Sequence, residues 1–212
     1  TASVTVTVGA VSASQSTVSA SPTSIAASSG SATSTITVTA KDGFGNPISG
    51  ATVVLAATGT GNTLTQPVGT TNASGVATGT LSSTVAEGKT VSATINGTAV
   101  TQTASVTVTA GAAANIAFQG SYPATASAGS VVSPTPSVLV TDQYGNAKSG
   151  VDVTFSVTAG DGSVDPTTAV ATNASGVAQV TTWTLGLTLG ANTLSAAAAG
   201  VVTAATLTVT GQ

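Results

Sequence analysis

Three segments recur in the same order about 100 residues apart, and this repetition constrains the fold more than any other feature of the chain. Asp42-Gly43-Phe44-Gly45-Asn46-Pro47-Ile48-Ser49-Gly50 returns as Asp142-Gln143-Tyr144-Gly145-Asn146-Ala147-Lys148-Ser149-Gly150, keeping the Asp, the Gly-Asn pair and the Ser-Gly pair in register. Thr71-Asn72-Ala73-Ser74-Gly75-Val76-Ala77 returns unchanged as Thr172-Asn173-Ala174-Ser175-Gly176-Val177-Ala178. The third segment occurs three times: Ala2-Ser3-Val4-Thr5-Val6-Thr7, Ala104-Ser105-Val106-Thr107-Val108-Thr109 and Ala205-Thr206-Leu207-Thr208-Val209-Thr210.

Because the third segment closes each repeat, residues 11–110 and 111–212 read as two complete domains of ordinary size. Residues 1–10 read as the closing strand of a preceding repeat or as a donor strand for a neighbour. The start of the sequence carries no basic-then-apolar leader, so it reads as a processed form or a piece of a longer array.

Within a repeat the hydrophobic period is two. Ile36, Val38 and Ala40 alternate with Thr35, Thr37 and Thr39, and the same alternation runs through Val53, Leu55 and Ala57, through Val91, Ala93 and Ile95, and through Val106 and Val108. The second repeat offers Val151, Val153, Phe155 and Val157. Such alternation describes strands with one buried and one wet face. β-Branched Val and Thr favour strand over helix, and Gly/Asn clusters at short intervals favour antiparallel strands joined by turns. The expectation is an all-β protein with two packed sheets per repeat. Trp183 resists a single register: either Ala178 and Val180 or Trp183 and Leu185 face inward, unless a bulge reconciles them.

Composition removes several function classes. Only 4% of residues are charged, the three cations are Lys41, Lys89 and Lys148, and Arg is absent, so nothing forms a phosphate-binding patch and nucleic acid is not an expected partner. His and Cys are also absent, which withholds the usual base from a serine nucleophile and the usual ligands from zinc. No catalytic residue, cofactor or metal is expected; Lys148 beside Ser149 belongs to a turn. The weak calcium candidates are the oxygens of Asp161 and Asp165, with a solvated turn as the competing reading. The longest apolar stretch, around Leu194–Val202, is too short and interrupted to span a bilayer.

The two motifs resemble those of the group 1 bacterial immunoglobulin-like domains, the repeats of intimin- and invasin-type adhesins. The D-x-x-G-N-P-x-x-G pattern is matched by Asp42, Gly45, Asn46, Pro47 and Gly50, and by Asp142, Gly145, Asn146 and Gly150 with Ala147 in place of proline. The T-N-x-x-G-x-A pattern is matched by Thr71, Asn72, Gly75 and Ala77, and by Thr172, Asn173, Gly176 and Ala178. The resemblance implies two tandem immunoglobulin-like β-sandwich domains, an extracellular or bacterial cell-surface setting, and a structural role in a stalk or fibre. It implies that any host receptor is met by other domains. The motif residues are then turn formers, with Asp and Asn side chains bonding turn amides and Gly supplying left-handed backbone.

Two alternatives stay open. The chain could be a filament subunit whose partners are identical subunits, held by strand addition through Ala2, Val4, Val6 and Val8. It could be a carbohydrate-binding module using Tyr122, Trp183, Phe44 and Tyr144, although the last two occupy equivalent turn positions and read as a plug under the turn. Asn72, Asn96 and Asn173 lie in glycosylation sequons but are also what tight turns require.

Overall fold

The computed structural model describes residues 7–212, and among these every regular element is a β-strand. The chain divides after Thr109 into two compact units, each an immunoglobulin-like sandwich.

The first domain contains β1 (Thr17–Ser21), β2 (Ser24–Ala26), β3 (Ser34–Thr39), β4 (Val53–Ala57), β5 (Asn62–Thr65), β6 (Val76–Ser83), β7 (Gly88–Ile95), β8 (Thr98–Ala99) and β9 (Ala104–Thr109). One sheet has the order β1-β3-β6-β5 and the other β2-β9-β7-β4, with β8 appended to β7. Neighbours are antiparallel except β2 and β9, which run parallel with Ile25 opposite Val108. The inward residues of the alternating segments meet between the sheets: Ile36, Val38, Leu55, Val91, Ile95 and Val106 are all buried. Each such aliphatic side chain contributes roughly 1.5–3 kcal/mol by leaving water, so a core of small residues is stabilised by their number.

The second domain contains β10 (Asn115–Gln119), β11 (Thr125–Ala126), β12 (Ser137–Thr141), β13 (Asp152–Ala159), β14 (Ser163–Asp165), β15 (Val170–Ala171), β16 (Val177–Gln179), β17 (Thr182–Thr184), β18 (Gly190–Ala198) and β19 (Ala205–Gly211). Its sheets have the orders β10-β12-β16, β14-β17 and β11-β19-β18-β13-β15. Again the second and the last strands of the domain, here β11 and β19, run parallel.

The two domains differ most where β6 is replaced by β16 and β17. Thr181 and Thr182 are consecutively exposed, so one extra residue is accommodated between the strands. Ala178, Val180, Trp183 and Leu185 are all buried as a result. Both registers read for Trp183 are therefore occupied, one on each side of the interruption. Trp183, opposite Val164, is the largest fully buried side chain among the described residues.

Candidate functional site

Both motifs gather at one pole of each domain. The chain leaving β3 turns at Asp42, whose Oδ1 accepts hydrogen bonds from the Phe44 N–H and the Asn46 N–H, both at 2.9 Å. Its Oδ2 accepts from Asn46 Nδ2 at 3.0 Å and from the Gly9 N–H at 3.1 Å. Asp142 does the same in the second domain, with Tyr144 N and Asn146 N at 2.9 Å on Oδ1, and Asn146 Nδ2 and Gly111 N at 2.8 Å on Oδ2. Gly45 and Gly145 close these turns at φ of +84° and +86°, a region that costs a side chain energy and glycine nothing.

The second motif stitches the next loop to the first. Thr71 Oγ1 donates to Ile48 O at 2.6 Å and accepts from Ala51 N at 2.9 Å; Thr172 Oγ1 donates to Lys148 O at 2.7 Å and accepts from Val151 N at 2.9 Å. Asn72 Oδ1 accepts from Ser74 N and Val76 N, and Asn173 Oδ1 from Ser175 N and Val177 N, at 2.9–3.1 Å. The backbone completes the seam, with Gly50 N donating to Thr71 O and Gly150 N to Thr172 O. The two turns are thereby bonded to each other, and Asn72 and Asn173 spend their side-chain oxygens within their own turns.

The carboxylates are the electrostatic centres of these poles. The Asn46 amide, opposed by burial and helped by the Gly9, Asn46 and Phe44 N–H groups, holds the Asp42 pKa down at about 2. Burial pushes Asp142 upward, but the Asn146 amide and the Gly111, Asn146 and Tyr144 N–H groups outweigh it, and its pKa is also lowered. A carboxyl depressed on folding contributes stability that is present above its unfolded value, near 4, and lost as pH falls through the folded value. The Asp42 carboxyl is therefore expected to titrate near pH 2 in a carbon-detected NMR series, with the Gly9 amide shift following the same curve. Asp42→Asn should abolish that transition; a midpoint near 4 in the wild type would contradict the geometry.

The sequence expectations for the other candidates fare differently. Phe44 is no plug: it is 93% exposed, because Asp42 and Asn46 already fill the inside of the turn, whereas Tyr144 is partly buried. Ala2, Val4 and Val6 lie outside the described residues, and Val8 is 51% exposed. Asp161 and Asp165 are both exposed; Asp161 accepts from the Thr188 hydroxyl at 3.2 Å, and Asp165 lies on β14 opposite Thr182. Among the described residues no three of His, Cys, Asp and Glu gather to hold a metal, and no helix is long and apolar enough to cross a membrane.

The sequence reading did not connect the linker glycines Gly9 and Gly111 to the turn carboxylates, which lie 33 and 31 residues further along the chain. It also missed Lys89, whose side chain is fully buried at the opposite pole, where Nζ donates to Thr60 O at 2.6 Å and pairs with Glu87. Asn192 lies at the matching place in the second domain, opposite Val209 as Lys89 is opposite Val106. The inward alternation Lys89, Val91, Ala93, Ile95 carried the signal.

Residues 12–111 match the family of invasin, domain 3. No curated protein sequence matches the chain. Among solved structures it is similar to the Escherichia coli adhesin FdeC, at 28% identity over 96% of this chain with a TM-score of 0.58. It is also similar to Yersinia pseudotuberculosis InvD, at 26% identity over 95% with a TM-score of 0.62. Invasin, a bacterial integrin-binding protein, shares the fold at 22% identity over 96% with a TM-score of 0.63. The chain spans 66%, 58% and 41% of those three chains, less than two thirds of each. The first domain thus matches the invasin domain 3 family over nearly its whole length, and the pair, with the same turn motifs in its second domain, shares the immunoglobulin-like fold of invasin-type bacterial adhesin domains.

Proposed function

We propose that the pair is a non-catalytic spacer of a bacterial surface adhesin, with domain limits at 11–110 and 111–212 and residues 1–10 closing a preceding repeat. It acts outside the cell and leaves receptor binding to other domains of its parent protein. The observation that carries this reading is the captured linker. In each repeat the glycine that enters the domain donates its N–H to the buried turn carboxylate, Gly9 to Asp42 and Gly111 to Asp142. In the second, Lys148 Nζ also donates to Ala110 O at 3.2 Å. A linker held this way adds its length to the following domain and gives up the freedom of a loose tether, which is what a spacer requires. The carboxylates of Asp42 and Asp142 and the hydroxyls of Thr71 and Thr172 are spent on bonds within the pole.

Amide exchange tests the reading directly. The Gly111 N–H is expected to be protected in the native chain and to exchange about tenfold faster in Asp142→Ala, the loss of one charge-assisted hydrogen bond. The purified chain is expected to show neither glycosidase activity nor saturable binding to host cells. Free exchange at Gly111 in the wild type would remove the captured linker, and saturable cell binding by the purified pair would replace the spacer with an adhesive module.

A further inference from the structure

Only one asparagine of the chain is followed by glycine: Asn96, in the Asn96-Gly97-Thr98 sequon. An asparagine side chain can react with the peptide nitrogen of the next residue, and the surroundings of each asparagine decide whether it does. Asn46 precedes Pro47, which has no N–H. Asn72 and Asn173 each hold two turn amides on Oδ1, and Asn146 gives Nδ2 to Asp142 at 2.8 Å. Asn62, Asn115 and Asn192 precede β-branched Thr63, Ile116 and Thr193, whose side chains crowd the peptide nitrogen, and Asn192 is buried.

Asn96 is placed differently. With Gly97 it forms the two-residue turn between β7 and β8, Ile95 lying opposite Thr98. Both turn residues have positive φ, +49° and +82°, as such hairpins require, and both are exposed. A Cβ placed on Gly97 would meet nothing within 4 Å, so no neighbouring strand or side chain shields that side of its peptide. Asn96 N donates to Thr52 O at 2.9 Å, and Thr52 N donates to Asn96 Oδ1 at 2.8 Å. Among the described residues, neither Asn96 Nδ2 nor the Gly97 N–H donates to a protein acceptor.

We propose that Asn96 is a site of spontaneous modification, at which the first domain converts its amide to aspartate and isoaspartate. Gly97 N gives its proton to hydroxide and bonds to Asn96 Cγ; the Cγ–Nδ2 bond breaks, and Nδ2 leaves as ammonia with a proton from water. Water then opens the cyclic imide and restores the Gly97 N–H. Opening at Cγ gives aspartate on the original backbone, and opening at the main-chain carbonyl gives isoaspartate, whose backbone passes through Cβ and Cγ. In sum, water is consumed and ammonia released, with no oxidant or cofactor. The side chain must first leave Thr52, and a single exposed, neutral hydrogen bond holds it back by no more than about tenfold.

The two products differ in what they do to the hairpin. Aspartate keeps an oxygen for the Thr52 N–H and adds a negative charge to a domain whose other charged side chains are Lys41, Asp42, Glu87 and Lys89. Isoaspartate adds a carbon to the main chain of a turn with room for two residues, so Ile95 can no longer lie opposite Thr98. The segment it loosens is anchored next by Val100 N on Ala93 O and by Thr101 N on Ala13 O. In the second domain the connection from β18 to β19, residues 199–204, contains no asparagine, so the change is confined to the first. The inference goes beyond the spacer role and does not depend on it.

Peptide mapping by mass spectrometry, after incubation of the full chain at neutral and at mildly alkaline pH, provides the test. The peptide containing Asn96 is expected to gain the mass of an amide turned into an acid and to split into two products, faster at the higher pH. Those containing Asn72 and Asn173 should stay unchanged over the same period. In urea the unfolded chain should convert at Asn96 no more than about tenfold faster than the folded one. Gly97→Ala should abolish conversion over that period, both folded and in urea, where strain at the turn does not enter. Hydrogen exchange on the separated products should show Thr98 and Thr101 amides protected in the aspartate form and released in the isoaspartate form. An Asn96 that remains an amide, conversion no faster than at Asn72 or Asn173, an undiminished rate in Gly97→Ala, or a folded chain slower than the unfolded one by far more than that margin would each overturn the proposal. None of these results bears on the exchange of Gly111.

Discussion

Trp183→Ala should unfold the second domain's half of the thermal transition and leave that of the first in place. The side chain is 0% exposed and lies where the interrupted edge of one sheet packs on the other. Truncating a buried tryptophan costs about 3–5 kcal/mol, a large part of the roughly 5–15 kcal/mol that holds a domain together. For a domain of this size the midpoint should fall by at least about 12 °C. Trp183→Phe separates packing from polarity. The indole Nε1 is buried without a hydrogen-bond partner, and a donor left unpaired inside a protein is itself destabilising. Phenylalanine removes the donor and keeps most of the ring, so its cost should be less than half that of alanine. Calorimetry resolving two transitions would check both, with the first domain as internal control. Equal losses for the two variants would contradict this account of the site.

Gly75→Val and Gly176→Val should each cost more than Gly45→Ala by a wide margin, although all three glycines have positive φ. At Gly45 the space for a Cβ is empty, so only the left-handed backbone penalty of about 1 kcal/mol applies. At Gly75 a Cβ would come within 2.5 Å of Ala40 O, and at Gly176 within 2.8 Å of Val140 O. Those carbonyls cannot yield freely, because Ala40 O accepts from Ile48 N and Val140 O from Lys148 N, while Ala40 N and Val140 N donate to Gly75 O and Gly176 O. A branched side chain there must part the seam between the two loops, at a cost of about 3 kcal/mol or more once strain and lost hydrogen bonds combine. Urea unfolding would read the difference as a shift in midpoint at unchanged slope. The glycine of the T-N-x-x-G motif is thus required by the closeness of a neighbouring strand, in addition to its own turn.

The strands were legible because each alternating segment has a single buried face, and a one-residue slip would have exposed Ile36, Val38 or Leu55. The pole was legible as a turn from Asp42, Gly45 and Asn46, since these residue types bond their own loop. What lay hidden depended on partners far apart in the chain. Gly9 meets Asp42 across 33 residues, and Gln66 meets Leu55 only because a loop returns to the sheet edge. Phe44 misled for a related reason: an aromatic residue in a turn suggests a buried ring, but the Asp42 carboxylate had already claimed the interior. Lys89 sat on the inward register of β7 in plain view, yet a charged residue there is expected to face water until Glu87 and the Thr60 carbonyl are known to receive it.

The parallel pairing of β2 with β9, and of β11 with β19, bears on how such a pair behaves under load. Tension applied to the two ends of a domain draws one member of a parallel pair against the direction of the other. The hydrogen bonds joining them lie across the line of pull and are loaded together in shear, rather than opened one after another as at the end of a hairpin. Each domain therefore meets stretching with a short parallel pair between its second and last strands that is loaded in shear.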